Sequence, residues 1–299
     1  MKDIIMKKVI VLVPLTLIAL FAIVNVFSVA ENLHNAPQTK DITMNQIQNE
    51  ERDAMQITDP ELVHLMDSFT YNDAYQAGAL DLPTRELIAC VCLTAQQALP
   101  ELKAHVAAAL KAGVTPIEVR EAVYQCAPFI GFPKTVEAVK AINVVFTQNG
   151  ISLPLEPQAT VSPAQRYKEG LSVQYPLYGN EIREAMKDLP AGLDADIPRF
   201  LTEMCFGDFY TRKGLDVPKR ELLMLCVLTT LGAEKQIHAH TLGNLRAGNS
   251  RETLCSAIAS CLPWIGFPRT LNAINIVKSA QLPGLPEKTP ASHTQEMEK

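Results

Sequence analysis

Aromatic residues are scarce in this chain, at 6% with a single Trp, and nowhere does an apolar–polar alternation mark a half-buried strand. Both absences argue against a sheet protein, because strands draw on aromatic and β-branched side chains. The Ala- and Leu-rich remainder favours helices. Basic residues are also in deficit, with 27 Lys and Arg against 32 Asp and Glu for a net charge of −5. There is no cationic footprint for a nucleic acid. Low hydrophobicity is missing as well: 47% of residues are hydrophobic and 20% charged, so the 299 residues can form two domains, each with its own core. The cysteine count is not even. Seven cysteines leave at least one unpaired, and Cys90 and Cys92, two apart on a predicted helix, point to different sides. Packing rather than a disulfide framework is the expectation for Cys90, Cys92, Cys126, Cys226, Cys255 and Cys261.

Residues 1–30 read as a signal peptide or N-terminal anchor. Lys2, Lys7 and Lys8 flank an apolar stretch from Val9 to Phe27, and Ser28-Val29-Ala30 offers small residues before a cut ahead of Glu31. Met6-Lys7-Lys8 would also open a conventional signal, and no Cys at the cleavage point invites a lipid. The expectation is an exported chain, periplasmic or secreted, that touches a membrane only through this segment if it stays uncleaved. Residues 31–54 are polar and read as flexible, as does the tail 283–299.

The chain repeats itself without a gap at an offset of 135 positions. Asp73, Tyr75, Asp81, Pro83, Arg85, Glu86, Thr94, His105, Gly113, Cys126, Pro128 and Gly131-Phe132-Pro133 fall on Asp208, Tyr210, Asp216, Pro218, Arg220, Glu221, Thr229, His240, Gly248, Cys261, Pro263 and Gly266-Phe267-Pro268. Agreement through whole helices and their turns marks a duplication. Copy one is assigned to residues 55–150 and copy two to 160–282, with a Pro-rich linker at 151–159. In each copy, Asp81 or Asp216 caps a helix with Pro in its first turn. The next helix carries His105 or His240 and stops at Gly113 or Gly248. Thr115-Pro116-Ile117-Glu118 has the form of a capping box, of which copy two keeps only Ser250. The fold class is all-α.

Arg-Glu near a helix start, then His, Ala-Gly at that helix's end and Gly-Phe-Pro: this order, present twice, resembles the carboxymuconolactone decarboxylase family and its alkylhydroperoxidase D-like fold. Arg166-Tyr167-Lys168-Glu169-Gly170 is similar to the family's opening segment. The resemblance implies tandem helical domains that pair and assemble into a homo-oligomer, the apolar last helix of each copy serving as an interface. It also implies a lyase that needs no cofactor, because an unsaturated lactone or keto acid can take up the electrons left by departing carbon dioxide. A small anionic organic substrate is the expected partner.

Within that reading His105 and His240 are the candidate general acids, Glu86 and Glu221 the carboxylates that orient them, and Glu101, one turn before His105, an additional carboxylate. Its counterpart in copy two is Gln236. Arg85 and Arg220 are candidate substrate anchors and Trp264, opposite Phe129 in the repeat, a pocket wall. The competing reading is structural: a His satisfied in a core, an Arg-Glu pair holding a helix, an aromatic in packing. His238-Ala239-His240 does not read as a metal site, because helical ligands to one ion prefer spacings of three or four. The alkylhydroperoxidase D-like branch places Cys-x-x-Cys before the His, where this chain has Ala98 and Glu101, or Ala233 and Gln236. A thiol peroxidase would therefore have to use other cysteines, Cys126 and Cys261 first. A non-enzymatic helical oligomer of the cell envelope is the third reading.

Overall fold

The computed structural model describes residues 54–282, and every regular element among them is helical. In copy one, α1 (Pro60–Asp67) runs into a π-helical stretch, Ser68–Ala74. It is followed by α2 (Leu82–Gln96), α3 (Leu99–Lys111), α4 (Pro116–Gln125), the single turn α5 (Ala127–Ile130) and α6 (Phe132–Gln148). Copy two opens with α7 (Arg166–Tyr178) and α8 (Glu181–Ala185). The repeat then resumes with α9 (Leu193–Phe200), which continues as a π-helical stretch, Leu201–Tyr210. The series ends with α10 (Val217–Leu231), α11 (Glu234–Ala247), α12 (Arg251–Ser260), the turn α13 (Leu262–Ile265) and α14 (Phe267–Ser279). The segments 1–30, 31–53 and 283–299, with the expected signal or anchor, lie outside the described residues. No helix among the described residues is long and apolar enough to cross a membrane.

Local chemistry accounts for the helix ends. Asp81 Oδ1 accepts from the Thr84 amide (2.9 Å) and Asp216 Oδ1 from the Lys219 amide (2.8 Å), satisfying donors that a helix start leaves open. Thr115 and Glu118 close the capping box, and Ser250 Oγ alone caps α12. Both α2 and α10 end in a left-handed residue, Gln97 (φ 62°) and Gly232 (φ 68°). Glycine takes that conformation without strain and glutamine does not.

Residues Thr84 to Ala95 of α2 are all buried, as are Arg220 to Thr230 of α10. A helix without an exposed face must be enclosed on every side. Each is covered on one side by its own copy and on the other by its counterpart, so α2 and α10 pack on each other and a single core runs through both copies. The copies therefore pair through their central helices. The last helices are not the main contact between the copies: α6 and α14 pack chiefly on their own copies, with Phe267 also against Phe69, and leave Phe132, Val136, Phe267 and Leu271 exposed. The linker is fixed to both copies. Glu156 O accepts from Arg120 in copy one (2.7 Å), and Gln158 O accepts from the Lys213 amide in copy two (3.0 Å).

The cysteines belong to this shared core. Cys92 and Cys261, from different copies, stand with sulfurs 3.6 Å apart, and burial pushes the Cys90, Cys126 and Cys261 thiols well up. A thiol held protonated and away from solvent is a poor nucleophile. Cys255 is the one that is partly exposed. Alkylation of the native protein at mildly alkaline pH, read by mass spectrometry, is expected to modify Cys255 ahead of the other six cysteines, which react once the chain is unfolded.

One charge cluster ties the copies together. Fully buried Glu121, on α4, accepts from Arg212 Nε (2.7 Å) and Nη2 (2.9 Å) and from Arg220 Nη2 (3.3 Å), with Arg120 Nη2 at 3.6 Å. At the repeat-related position stands neutral Ser256, whose hydroxyl accepts from the Ala79 amide (3.4 Å). Removing one member of a buried ion cluster strands the others at a cost of about 3–5 kcal/mol, whereas losing a neutral hydrogen bond costs about 1 kcal/mol. Glu121→Gln is thus expected to lower unfolding stability by several times as much as Ser256→Ala, measured by urea denaturation.

Candidate functional site

Two histidine–carboxylate pairs sit at repeat-related places. His105 Nδ1 lies 2.7 Å from Glu86 Oε2, and His240 Nδ1 lies 3.0 Å from Glu221 Oε2. Each His comes from the helix that follows the Arg-Glu helix in its own copy, and antiparallel packing of α2 with α3, and of α10 with α11, brings the partners together. The opposite copy supplies the aromatic against each ring. Trp264 lies edge-on to His105 with centroids 4.5 Å apart, and Phe129 lies edge-on to His240 at 5.4 Å. Neither site is complete without the copy-to-copy pairing.

Beyond that the two sites diverge. Glu221 is fully buried and receives two phenols in addition to the His. Tyr210 donates to Oε1 (2.6 Å) and Tyr178 donates to Oε2 (2.7 Å), the Tyr178 oxygen also lying 3.0 Å from His240 Nδ1. Burial, reinforced by the Glu221 charge, pushes both phenols well above their ordinary range, so they remain donors. A carboxylate only accepts, which puts a proton on His240 Nδ1 and leaves Nε2 as the atom that exchanges protons with a ligand. In copy one no phenol among the described residues donates to Glu86. Tyr75, the counterpart of Tyr210, is buried with its hydroxyl unpartnered, as is the Trp264 indole nitrogen.

A cavity of about 370 Å³ opens on His240. Phe129, Tyr178 and Phe206 form apolar and aromatic walls, and Lys235 and Gln236 stand at the start of α11, with Glu181 of α8 also on the lining. That volume is in the range of small-molecule sites. Lys235 is exposed and makes no ion pair among the described residues. Cys205 also lines the cavity, its thiol pushed up by burial and by Glu221. Among the described residues no group of His, Cys, Asp and Glu is arranged to hold a metal ion.

Three of the sequence-derived assignments change here. Arg85 and Arg220 are 2% and 0% exposed and do not face a ligand. Arg85 donates to the carbonyls of Ala74, Ala77, Gly78 and Leu80 and to Ser260 Oγ across the copy boundary. Arg220 donates to the carbonyls of Arg212, Lys213 and Leu215, to Glu121, and to Gln125 Oε1 in the other copy. Both guanidinium groups organise the loop before their helix, which explains their recurrence in both copies as well as a substrate role would. Glu101 is exposed and makes no hydrogen bond to the His105–Glu86 pair. Trp264 packs at His105 rather than on the cavity, where its counterpart Phe129 stands. Tyr178, Tyr210, Phe129, Lys235 and Cys205 escaped the sequence reading. For Tyr210 a signal existed, since it repeats as Tyr75; Tyr178 carried none.

Similarity to known proteins accords with this architecture. The model of the carboxymuconolactone decarboxylase family matches residues 60–143 and 195–279, once in each copy. Over 115 residues the chain is 27% identical to the 4-carboxymuconolactone decarboxylase of Acinetobacter baylyi, covering 38% of this chain and 85% of that protein. Over 101 residues it is 33% identical to the nitrosuccinic acid decarboxylase of Metarhizium robertsii, covering 32% of this chain and 70% of that one. With more than half of its length matched in two tandem segments, the chain belongs to the carboxymuconolactone decarboxylase family.

Proposed function

We propose that this protein is a cofactor-independent decarboxylase of a small carboxylated lactone or keto acid, and that His240 delivers the proton. The observation that carries the reading is the cavity of about 370 Å³ closed on one side by a His whose Nδ1 is held by a buried carboxylate. Two relatives named as decarboxylases of different small acids support the reaction type. Loss of carbon dioxide leaves its bonding electron pair on the substrate, so the substrate must bring its own sink, such as a conjugated carbonyl or a nitro group. The protein's tasks are to seat the carboxylate, exclude water and return a proton. His240, carrying a proton on each nitrogen, gives its Nε2 proton to the carbon or the extended enolate. The neutral imidazole then takes a proton from water, and the released carbon dioxide takes up the hydroxide left behind as bicarbonate. Glu221 keeps the ring oriented throughout. Lys235 supplies the cation that Arg85 and Arg220 do not, placing the substrate's carboxylate near the mouth of the cavity.

Copy one fits this chemistry less well. At the positions of Lys235-Gln236 it has Pro100-Glu101, which replaces a cation by an anion where an anionic substrate would enter. The thiol peroxidase reading finds no support in the buried, protonated cysteines. An exported location remains an expectation.

The test is carbon dioxide release from a panel of small acids that includes 4-carboxymuconolactone and nitrosuccinate. General acid catalysis is worth about 10²–10⁴-fold. His240→Ala is therefore expected to lose about 10²-fold or more in kcat, while His105→Ala keeps activity within about threefold. Equal losses in the two variants would sink the assignment to copy two. For Lys235→Gln the expected change is mainly a rise in KM of about tenfold, the equivalent of about 1.4 kcal/mol of binding. Steady-state kinetics separates that from an effect on kcat.

A further inference from the structure

The Tyr178 ring occupies a place that a single missing methyl group creates. It arrives from α7, which lies close against the π-helical stretch of α9 because Gly170 and Gly207 face each other there: a Cβ on Gly170 would strike Thr202 O, and one on Gly207 would strike Arg166 O. Arg166 Nε donates to Asp208 Oδ1 (2.7 Å), and Arg246 Nη1 donates to Leu177 O (2.6 Å), so both ends of α7 are fixed. The phenol then rests over Gly243 of α11. A Cβ at that position would stand 2.5 Å from the Tyr178 oxygen, 2.7 Å from Cζ and 2.9 Å from Glu221 Oε2. Real side chains do not approach so closely. The repeat-related residue in copy one is Ala108, which carries the methyl group that Gly243 lacks.

We propose that Tyr178 is a positioning residue of the His240 site, seated by Gly243, and that this pair confines the proton-delivering arrangement to copy two. The inference rests on the reading of His240 and Glu221 as the proton-handling pair. Tyr210 holds one oxygen of Glu221 and Tyr178 the other, so the carboxylate has no freedom to turn away from the imidazole. With its oxygen 3.0 Å from Nδ1, Tyr178 also fixes the direction in which Nε2 points. In copy one His105 is the side chain that holds the carboxylate among the described residues, Tyr75 makes no hydrogen bond among them, and Ala108 carries a methyl group where Gly243 has none.

The experiment compares Tyr178→Phe, Gly243→Ala and the double variant in the full chain, using two readouts. In protein labelled with ¹⁵N-histidine, the imidazole nitrogen resonances of His240 are expected to move in Tyr178→Phe and in Gly243→Ala, while those of His105 stay in place. With a turned-over acid, kcat is expected to fall about tenfold and KM to change by less than about twofold. If Gly243 acts only by seating the phenol, the double variant is no worse than the poorer single variant. Unmoved His240 resonances in Tyr178→Phe, or a loss confined to KM, would overturn the proposal; the latter outcome would make Tyr178 a cavity wall. Tyr178→Phe keeps the ring and the packing, so the test survives even if Gly243→Ala fails to fold. Should wild type turn over no acid in the panel, the decarboxylase reading falls, and the resonances alone decide the role of Tyr178.

Discussion

A helix that is apolar on every face cannot lie on the surface of a protein in water. Both α2 and α10 contain about two turns of this kind, residues 87–93 and 222–228, and their mutual burial is the constraint from which the rest of the molecule follows. It requires the copies to pair and it sets α3 and α11 against the flanks of the pair. It also brings α5 and α13 across the copy boundary, where Phe129 and Trp264 meet the opposite histidines. The catalytic candidates are therefore dependent on core packing rather than added to a finished scaffold.

The polar residues that accompany this core divide by what they satisfy. Arg85 and Arg220 gather the carbonyls of the loop that turns into each central helix, and each reaches into the other copy, Arg85 to Ser260 and Arg220 to Gln125 and Glu121. Glu86 and Glu221, next in sequence and one helical step round, face the histidines instead. Adjacent residues of an Arg-Glu pair thus perform separate tasks, one in the fold and one at the site. Glu121 adds a buried charge cluster on one side of the pair only, so the copies are related in backbone while their electrostatics differ.

Much of this was readable from the residues. The offset of 135 positions, the Asp caps, the glycine stops and the His–Glu pairing all rest on local chemistry or on repetition, and both leave a trace in sequence. What escaped depended on contacts between distant segments. The left-handed turn at Gln97 is invisible in copy one and plain in copy two, where Gly232 occupies the position. Repetition misled for Arg85 and Arg220, because a residue that anchors a loop recurs as faithfully as one that binds a ligand. Tyr178 falls opposite Thr43 in the repeat, so repetition did not single it out. The available hint was negative, the change from Ala108 to Gly243 within otherwise similar helices.

The linker held down on both copies has a genetic consequence. In a symmetric dimer of a single-copy chain every substitution appears twice, once on each side of the axis, and must be acceptable at both. Joining the copies through Glu156 and Gln158 keeps the pairing at high local concentration and removes that doubling. Each half of this chain can then be altered while the other stays as it is. A methyl group can be absent at position 243 and present at 108, and one half can serve as the rigid support against which the other is refined.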